Sequence, residues 1–163
     1  MDEQRLQSLE RRVQRFEDLE AIRRLKYAYA AACDDRYNPE RMLPLFTADA
    51  VWDGGADFGV HRGHAELRKF FTEVSQNILF AVHHFLQPEI DVDADGVHAR
   101  GKWYLWQACT FRGDVGAWIS GLEHDRYRKI DGRWLMSEMR LELFFVTPYE
   151  DGWHKVRMLK AGG

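Results

Sequence analysis

The sequence predicts an α+β fold in which helices pack on one face of a curved antiparallel sheet, and three observations carry that reading. Apolar residues in the first third recur every three or four positions. From about residue 78 the period becomes two. The alternating segments are joined by short turns rich in Gly and Asp. A chain of 163 residues suits one domain of roughly 100–200 residues. It is read as a single domain over 1–163, helical over 4–76, sheet over 78–146, with a tail over 147–163.

The first helix rests on Leu6, Leu9, Val13, Phe16, Leu19, Ile22, Leu25, Tyr29 and Cys33, an apolar stripe at spacings of three and four. The pattern allows one long helix or two joined near Asp18, a residue type that caps a new start. Up to about Phe16 the stripe is narrow and the cylinder highly charged, as expected of a segment that crosses a subunit boundary. Asn38-Pro39-Glu40 places an N-cap before a proline at the first helical position and opens a short helix through Leu45. A short strand follows over 49–53, then the loop Gly54-Gly55. A third helix over about 64–76 buries Leu67, Phe70, Phe71 and Val74. Strands are expected at 78–86, 89–94, 97–111, 117–130 and 133–146, with turns at Asp95-Gly96, Arg112-Gly113-Asp114 and Asp131-Gly132, the last a strong hairpin signal. A long, bent sheet wrapped on helices leaves a pocket between the two layers.

Charge and composition narrow the function classes. There are 23 Lys and Arg against 26 Asp and Glu, a net charge of −3, without the basic stripe that displaces counterions from nucleic-acid phosphates. No apolar run approaches the roughly 18 residues of a membrane span. The opening MDEQRLQSLERR lacks a signal-peptide apolar core, so the cytoplasm is the expected compartment. Cys33 and Cys109 are the only cysteines, too few for a disulfide framework or a four-thiolate metal site. Aromatics reach 13% and many lie in the strand segments, where they can line a cavity as readily as fill a core.

Few residues carry chemistry. His83 and His84 are neighbours on a strand and point to opposite faces, so they cannot share a metal, and periodicity alone does not choose between them. Asp34 ends the first helix beside its apolar stripe. A helix C-terminus disfavours an acid, so an inward Asp34 needs compensation such as an imidazolium; Asp35 lies one step further round. Gln107 is the one polar side chain on the face that carries Ala99, Gly101, Trp103, Leu105 and Cys109, so it must find a partner or a ligand. On the next strand the Ile119, Gly121, Glu123 series and the alternate series are equally open to the inside. His61-Arg-Gly-His64 is not a zinc spacing, Cys109 has no activating neighbour, and no Gly-rich phosphate loop or nucleophile elbow is present. No metal and no cofactor are expected.

Five segments, LEAIRRLKYAYAAACDD, LFTADAVW, VHHFLQPEIDV, GKWYLW and RYRKIDGRWLMSEM, resemble the SnoaL-like branch of the nuclear transport factor 2-like superfamily over roughly residues 15–148. The resemblance is closest to bile-acid 7α-dehydratases and extends to γ-hexachlorocyclohexane dehydrochlorinase and scytalone dehydratase. It implies a cone-shaped curved antiparallel sheet wrapped around N-terminal helices, an α+β barrel. It also implies a His-Asp dyad whose aspartate comes twelve residues after the isoleucine of an I-x-x-L segment. Here Ile22-x-x-Leu25 leads to Asp34, and His83 stands seven residues before the isoleucine of Pro88-x-Ile90. Tyr29 matches a tyrosine of the bile-acid enzymes. Gln107 and Leu143 replace their aspartate and arginine, and Met139 replaces an arginine of the dehydrochlorinase, so the leaving-group end differs.

The function this implies is a cofactor-independent lyase, a dehydratase-like elimination or related C–C or C–O cleavage on a hydrophobic aromatic or polycyclic small molecule. His83 is the expected base, Asp34 orients it, and Tyr29 donates to the departing oxygen or enolate. Trp52, Trp103, Leu105, Gln107, Ile119 and Leu143 are expected to line the pocket. Proton transfer of about 10²–10⁴-fold benefit requires an acidified C–H. The alternatives are an isomerase or cyclase with the same dyad, and a non-catalytic ligand-binding or dioxygenase β-subunit-like scaffold. The resemblance also implies a homo-oligomer, a trimer before a dimer.

Overall fold

The structure, a computed structural model, describes residues 2–159. Helix α1 runs unbroken over Glu3–Asp34, and Asp2 caps it by accepting the Gln4 N–H at 3.2 Å. Its apolar residues occupy two faces instead of one. Ile22, Leu25, Tyr29, Ala32 and Cys33 are buried, whereas Leu6, Leu9, Val13 and Phe16 are 42, 37, 55 and 67% exposed. The spacing explains the switch. Phe16, Leu19, Ile22 and Leu25 follow in three steps of three, each about 60° short of a full turn, so the stripe swings through about 180°.

After α1, Asn38 accepts the Glu40 N–H at 3.1 Å and opens α2 (Pro39–Met42), which tightens into a 3-10 turn over Leu43–Leu45. Strand β1 (Phe46–Asp53) starts earlier than expected. The segment expected as loop holds one helical turn, α3 (Gly55–Phe58), and a short strand, β2 (Val60–Arg62). Helix α4 (Gly63–Asn77) buries Leu67, Phe70 and Phe71.

Four long strands complete the sheet: β3 (Ile78–Val92), β4 (His98–Phe111), β5 (Val115–Ile130) and β6 (Arg133–Pro148). The segments expected as separate strands at 78–86 and 89–94 are one. A register shift between Leu86 and Glu89, with Gln87 at φ 50°, absorbs the irregularity as a bulge. The sheet order is β2-β1-β6-β5-β4-β3, giving the mixed α+β, curved six-stranded sheet with N-terminal helices. It is not wholly antiparallel, since β1 runs parallel to β6. In the β5–β6 turn Asp131 and Gly132 both have positive φ, 49° and 76°, as a two-residue hairpin needs.

Helix α1 lies across the concave face, chiefly on β3 and β6. Ala99, Gly101, Trp103, Leu105, Gln107 and Cys109 of β4 are buried in strict alternation. On β5 the inward series is Ala117, Ile119, Gly121, Glu123, Asp125 and Tyr127. Gly101 is required by packing, because a Cβ there would lie 2.8 Å from the Tyr127 ring. The aromatic surplus divides between the two faces. Trp52, Trp103 and Tyr127 are inside, while Trp106, Trp118 and Phe145 form a cluster on the other face that Trp153 of the tail joins by stacking on Phe145, centroids 5.4 Å apart. Beyond Pro148 the tail returns to the sheet, where the Leu159 N–H donates to the Val146 carbonyl at 2.7 Å. Among the described residues no helix is long and apolar enough to cross a membrane.

Candidate active site

Asp34 is the last residue of α1, at the end of the helix where a negative charge is least welcome. Its compensation comes from β3. One carboxylate oxygen accepts both the His83 backbone N–H, at 2.9 Å, and the ring Nδ1–H, at 2.8 Å. Two donors on one oxygen fix the imidazole tautomer, with the proton on Nδ1 and the lone pair on Nε2. The His83 side chain is 5% exposed and that of Asp34 36%, so the carboxylate sits at the rim while the ring points inward.

Nε2 meets the Tyr37 hydroxyl at 3.1 Å, and that hydroxyl accepts a Gln107 side-chain N–H at 3.1 Å. The chain Asp34–His83–Tyr37–Gln107 is thus satisfied in one direction, with Tyr37 O–H donating to Nε2. Burial holds the Tyr37 phenol well above its ordinary range, so it stays a donor. Tyr37 arrives there through a tight reversal after α1. Arg36 and Tyr37 take φ 56° and 52°, and the N–H groups of Tyr37 and Asn38 return to the carbonyls of Cys33 and Ala32 at 3.0 and 3.2 Å. Two consecutive non-glycine residues in the left-handed region are costly, and the strain falls on the residue that touches the imidazole.

His83 and Tyr37 open onto a cavity of about 40 Å³ between helices and sheet, lined also by Tyr29, Trp52, Leu105, Gln107, Ile119 and Glu123 and closed by Phe58, Phe70, Phe71 and Leu141 among others. An oriented base with its lone pair in a mostly apolar chamber, a phenol donor at hydrogen-bond distance and a carboxamide beside it can take a proton from carbon and polarise an oxygen of the same molecule.

Residues 14–140 match the SnoaL-like domain family. The chain belongs to that family. Solved structures repeat the SnoaL-like fold. A Novosphingobium aromaticivorans protein assigned as an aromatic ring hydroxylase is 25% identical, with a TM-score of 0.76 over 83% of this chain and 96% of that one. Hexachlorocyclohexane dehydrochlorinase LinA-type3 from Novosphingobium barchaimii is 17% identical, TM-score 0.75, over 83% of this chain and 92% of that one. A second N. aromaticivorans protein, assigned as a scytalone dehydratase, is 18% identical, TM-score 0.75, over 92% of this chain and 98% of that one.

Within this SnoaL-like domain the expected site residues separate into two groups. Tyr29, Trp52, Leu105, Gln107 and Ile119 share the cavity with His83. Tyr29 is not on the imidazole, since its hydroxyl accepts the Trp52 Nε1–H at 3.2 Å; the tyrosine at His83 is Tyr37. Trp103 and Leu143 do not line the cavity. Trp103 is fully buried beyond it, donating to the Tyr127 hydroxyl at 2.9 Å. Leu143 pairs with Gly121 on the same inner face as Leu141, which pairs with Glu123; two residues further along β6 it stays half-buried against the core, while Leu141 lines the chamber. His61 stacks on Phe70 and hydrogen-bonds the Phe58 carbonyl at 2.8 Å, and His64 hydrogen-bonds the Phe46 carbonyl. No cluster of three metal-ligating side chains exists among the described residues. Cys33 and Cys109 are free and buried. Burial pushes the Cys109 thiol up to about 12 and Cys33 well above its usual range, so neither supplies a thiolate near neutrality.

Sequence reasoning missed two features. Tyr37 lies outside any periodic element, and no sequence signal marks the left-handed turn that delivers it. The second is a buried ionic cluster at the cavity floor. Lys26, fully buried, reaches Glu123 in a short contact and Asp125 at 2.7 Å, and passes over the Phe85 ring at 4.3 Å from its centroid. The Tyr127 hydroxyl donates to Asp125 at 2.6 Å. One ammonium between two carboxylates leaves a surplus negative charge in a buried site. Burial pushes Glu123 up to about 7 against the opposing pull of Lys26. Lys26 itself is lowered by burial, but the two carboxylates outweigh that and hold it above its usual range. A sequence signal existed: Lys26 adjoins Leu25 on the helix, and Glu123 and Asp125 alternate with Gly121 on one strand face.

Proposed function

We propose that this protein is a lyase that removes a proton from an acidified carbon of a small hydrophobic molecule, using only its own side chains. The observation that carries the reading is the His83 ring on the chamber wall, its Nδ1–H fixed by Asp34 and its Nε2 lone pair engaged only by the Tyr37 O–H. His83 is the base and Asp34 stabilises the imidazolium as it forms, the role an aspartate plays beside other catalytic histidines. Tyr37, released from Nε2 as substrate enters, donates to the substrate oxygen on which charge develops, and Gln107 holds the phenol in place. The dehydrochlorinase and dehydratase names among the structural neighbours support an elimination.

The chamber as it stands accommodates little more than water, against roughly 300–1,000 Å³ for drug-sized ligands. Entry of a ring system therefore requires the lining to move. Phe58 lines the chamber from the single turn α3, between Gly55 at φ 66° and Gly59 at φ 77°, and is the side chain expected to swing aside.

The test is a panel of aromatic and polycyclic β-hydroxy and β-halo ketones incubated with the protein in D₂O and read by mass spectrometry and proton NMR. The reading expects loss of water or halide, preceded or accompanied by solvent exchange at the α-carbon, and abolition of both by His83→Ala. Exchange without loss of a fragment assigns the same dyad to an isomerase or cyclase. Full turnover by His83→Ala, or ligand binding with no exchange and no product across the panel, overturns the proposal.

A further inference from the structure

The first half of α1 has no use in its own domain. Residues 3–17 are exposed along their whole length, yet Leu6, Leu9, Val13 and Phe16 repeat at three, four and three, the a/d spacing of a two-heptad seam. At about 100° per residue this seam stands on the side of α1 opposite Ile22, Leu25 and Tyr29, which pack on the sheet. The stripe therefore cannot fold back onto its own core. A partner helix on the seam side leaves room for a folded domain on the outer side of each helix.

The flanking charges select the partner. With Leu6 and Val13 at a, the g positions are Arg5 and Arg12 and the e positions Glu10 and Glu17. In a parallel, in-register pair each g residue faces the following e residue of the other helix, so Arg5 meets Glu10 and Arg12 meets Glu17, once from each side. An antiparallel pair sets Arg against Arg and Glu against Glu. The next a position is Glu20, which ends the seam.

We infer that α1 residues 5–17 form a short parallel coiled coil with the same segment of a second copy of this chain, with Leu6, Leu9, Val13 and Phe16 as its seam. Two heptads are few, so association is concentration-dependent and sensitive to salt.

The test uses the full-length chain, in which Cys33 and Cys109 are buried. Leu6→Cys sets two thiols side by side across a parallel seam, whereas Gln4→Cys, on the outer face, does not. Mild oxidation is expected to convert Leu6→Cys largely into a disulfide-linked pair and leave Gln4→Cys as single chains. Reversing Arg5 and Arg12 to Glu in the Leu6→Cys background abolishes the link by making all four flanks acidic. Adding Glu10→Arg and Glu17→Arg restores it, a rescue that mere helix destabilisation would not produce. The inference is overturned if Leu6→Cys stays unlinked, if both cysteine variants link equally, or if the reversed chain links as well as the parent. Circular dichroism confirms that each variant is folded, and none of these substitutions touches the dyad, so failure here leaves the lyase reading standing.

Discussion

Replacing Lys26 with Met isolates the buried ionic cluster. Met approximates the apolar stem of the lysine and removes the ammonium together with its contacts over the Phe85 and Tyr29 rings. Glu123 and Asp125, 3 and 2% exposed, are left without their cation, and breaking a buried pair in this way costs about 3–5 kcal/mol, a large part of the roughly 5–15 kcal/mol that holds a domain folded. The cost depends on pH with a definite sign. Glu123 rises from 4.5 to about 7 on folding, so between those values the folded state holds more protons than the unfolded. Its contribution to stability is fully present below pH 4.5 and is lost as pH rises through 7, at up to about 1.4 kcal/mol per unit. In Lys26→Met the ammonium that pulls the Glu123 value down is gone, so the window of falling stability extends to higher pH. Urea unfolding of both proteins is expected to show a modest loss near pH 5 and a loss of several kcal/mol near pH 8, with Lys26→Met/Glu123→Gln recovering part of the latter. A loss under about 1 kcal/mol at pH 8, or the same loss at both pH values, would refute the argument that the lysine neutralises a buried surplus charge.

Three further outcomes follow from named contacts. Asp34→Asn retains the fold but weakens the support of the imidazolium, and turnover on any substrate found is expected to drop by about 10²–10⁴-fold with little change in ligand affinity, as measured by steady-state kinetics beside equilibrium binding. Tyr37→Phe removes the donor on Nε2 and the acceptor of Gln107; ¹⁵N NMR of the ring should show the Nε2 resonance move while Nδ1 stays put, and stability should fall by about 1–3 kcal/mol for the stranded partners. Gly121→Ala sets a Cβ 2.7 Å from the Glu142 carbonyl oxygen, a backbone atom that cannot swing aside, so chemical denaturation is expected to register at least about 1–3 kcal/mol of overpacking.

By itself the sequence determined the fold class and most of the element boundaries, because two hydrophobic periods and explicit turn residues are local properties of the chain. The helices over Glu3–Asp34 and Gly63–Asn77 and the strands β4, β5 and β6 follow from them, whereas the same signals read β2 as loop and β3 as two strands. It also marked Asp34 as an acid in the wrong place on its helix, and segment resemblance paired it with His83, which the structure sets 2.8 Å away. Local pattern could not say which tyrosine meets the imidazole, since Tyr29 and Tyr37 differ only in a left-handed turn that no period announces. Nor could it place Leu143, which shares the inner face with the chamber-lining Leu141 yet stands two residues beyond the chamber. Lys26 lies about a hundred residues from Glu123 and Asp125 in the chain, and their charges are compatible with burial only because the packing of α1 on the sheet brings them together. The narrow, highly charged stripe up to Phe16 already set the first half of α1 apart in the sequence, and the packed domain shows that this stripe stands on the side of the helix away from the core. Periodicity tells how a segment folds, but which groups share a dry space is settled by the packing of distant segments, where a charge or a lone pair is stable only in the company of its partners.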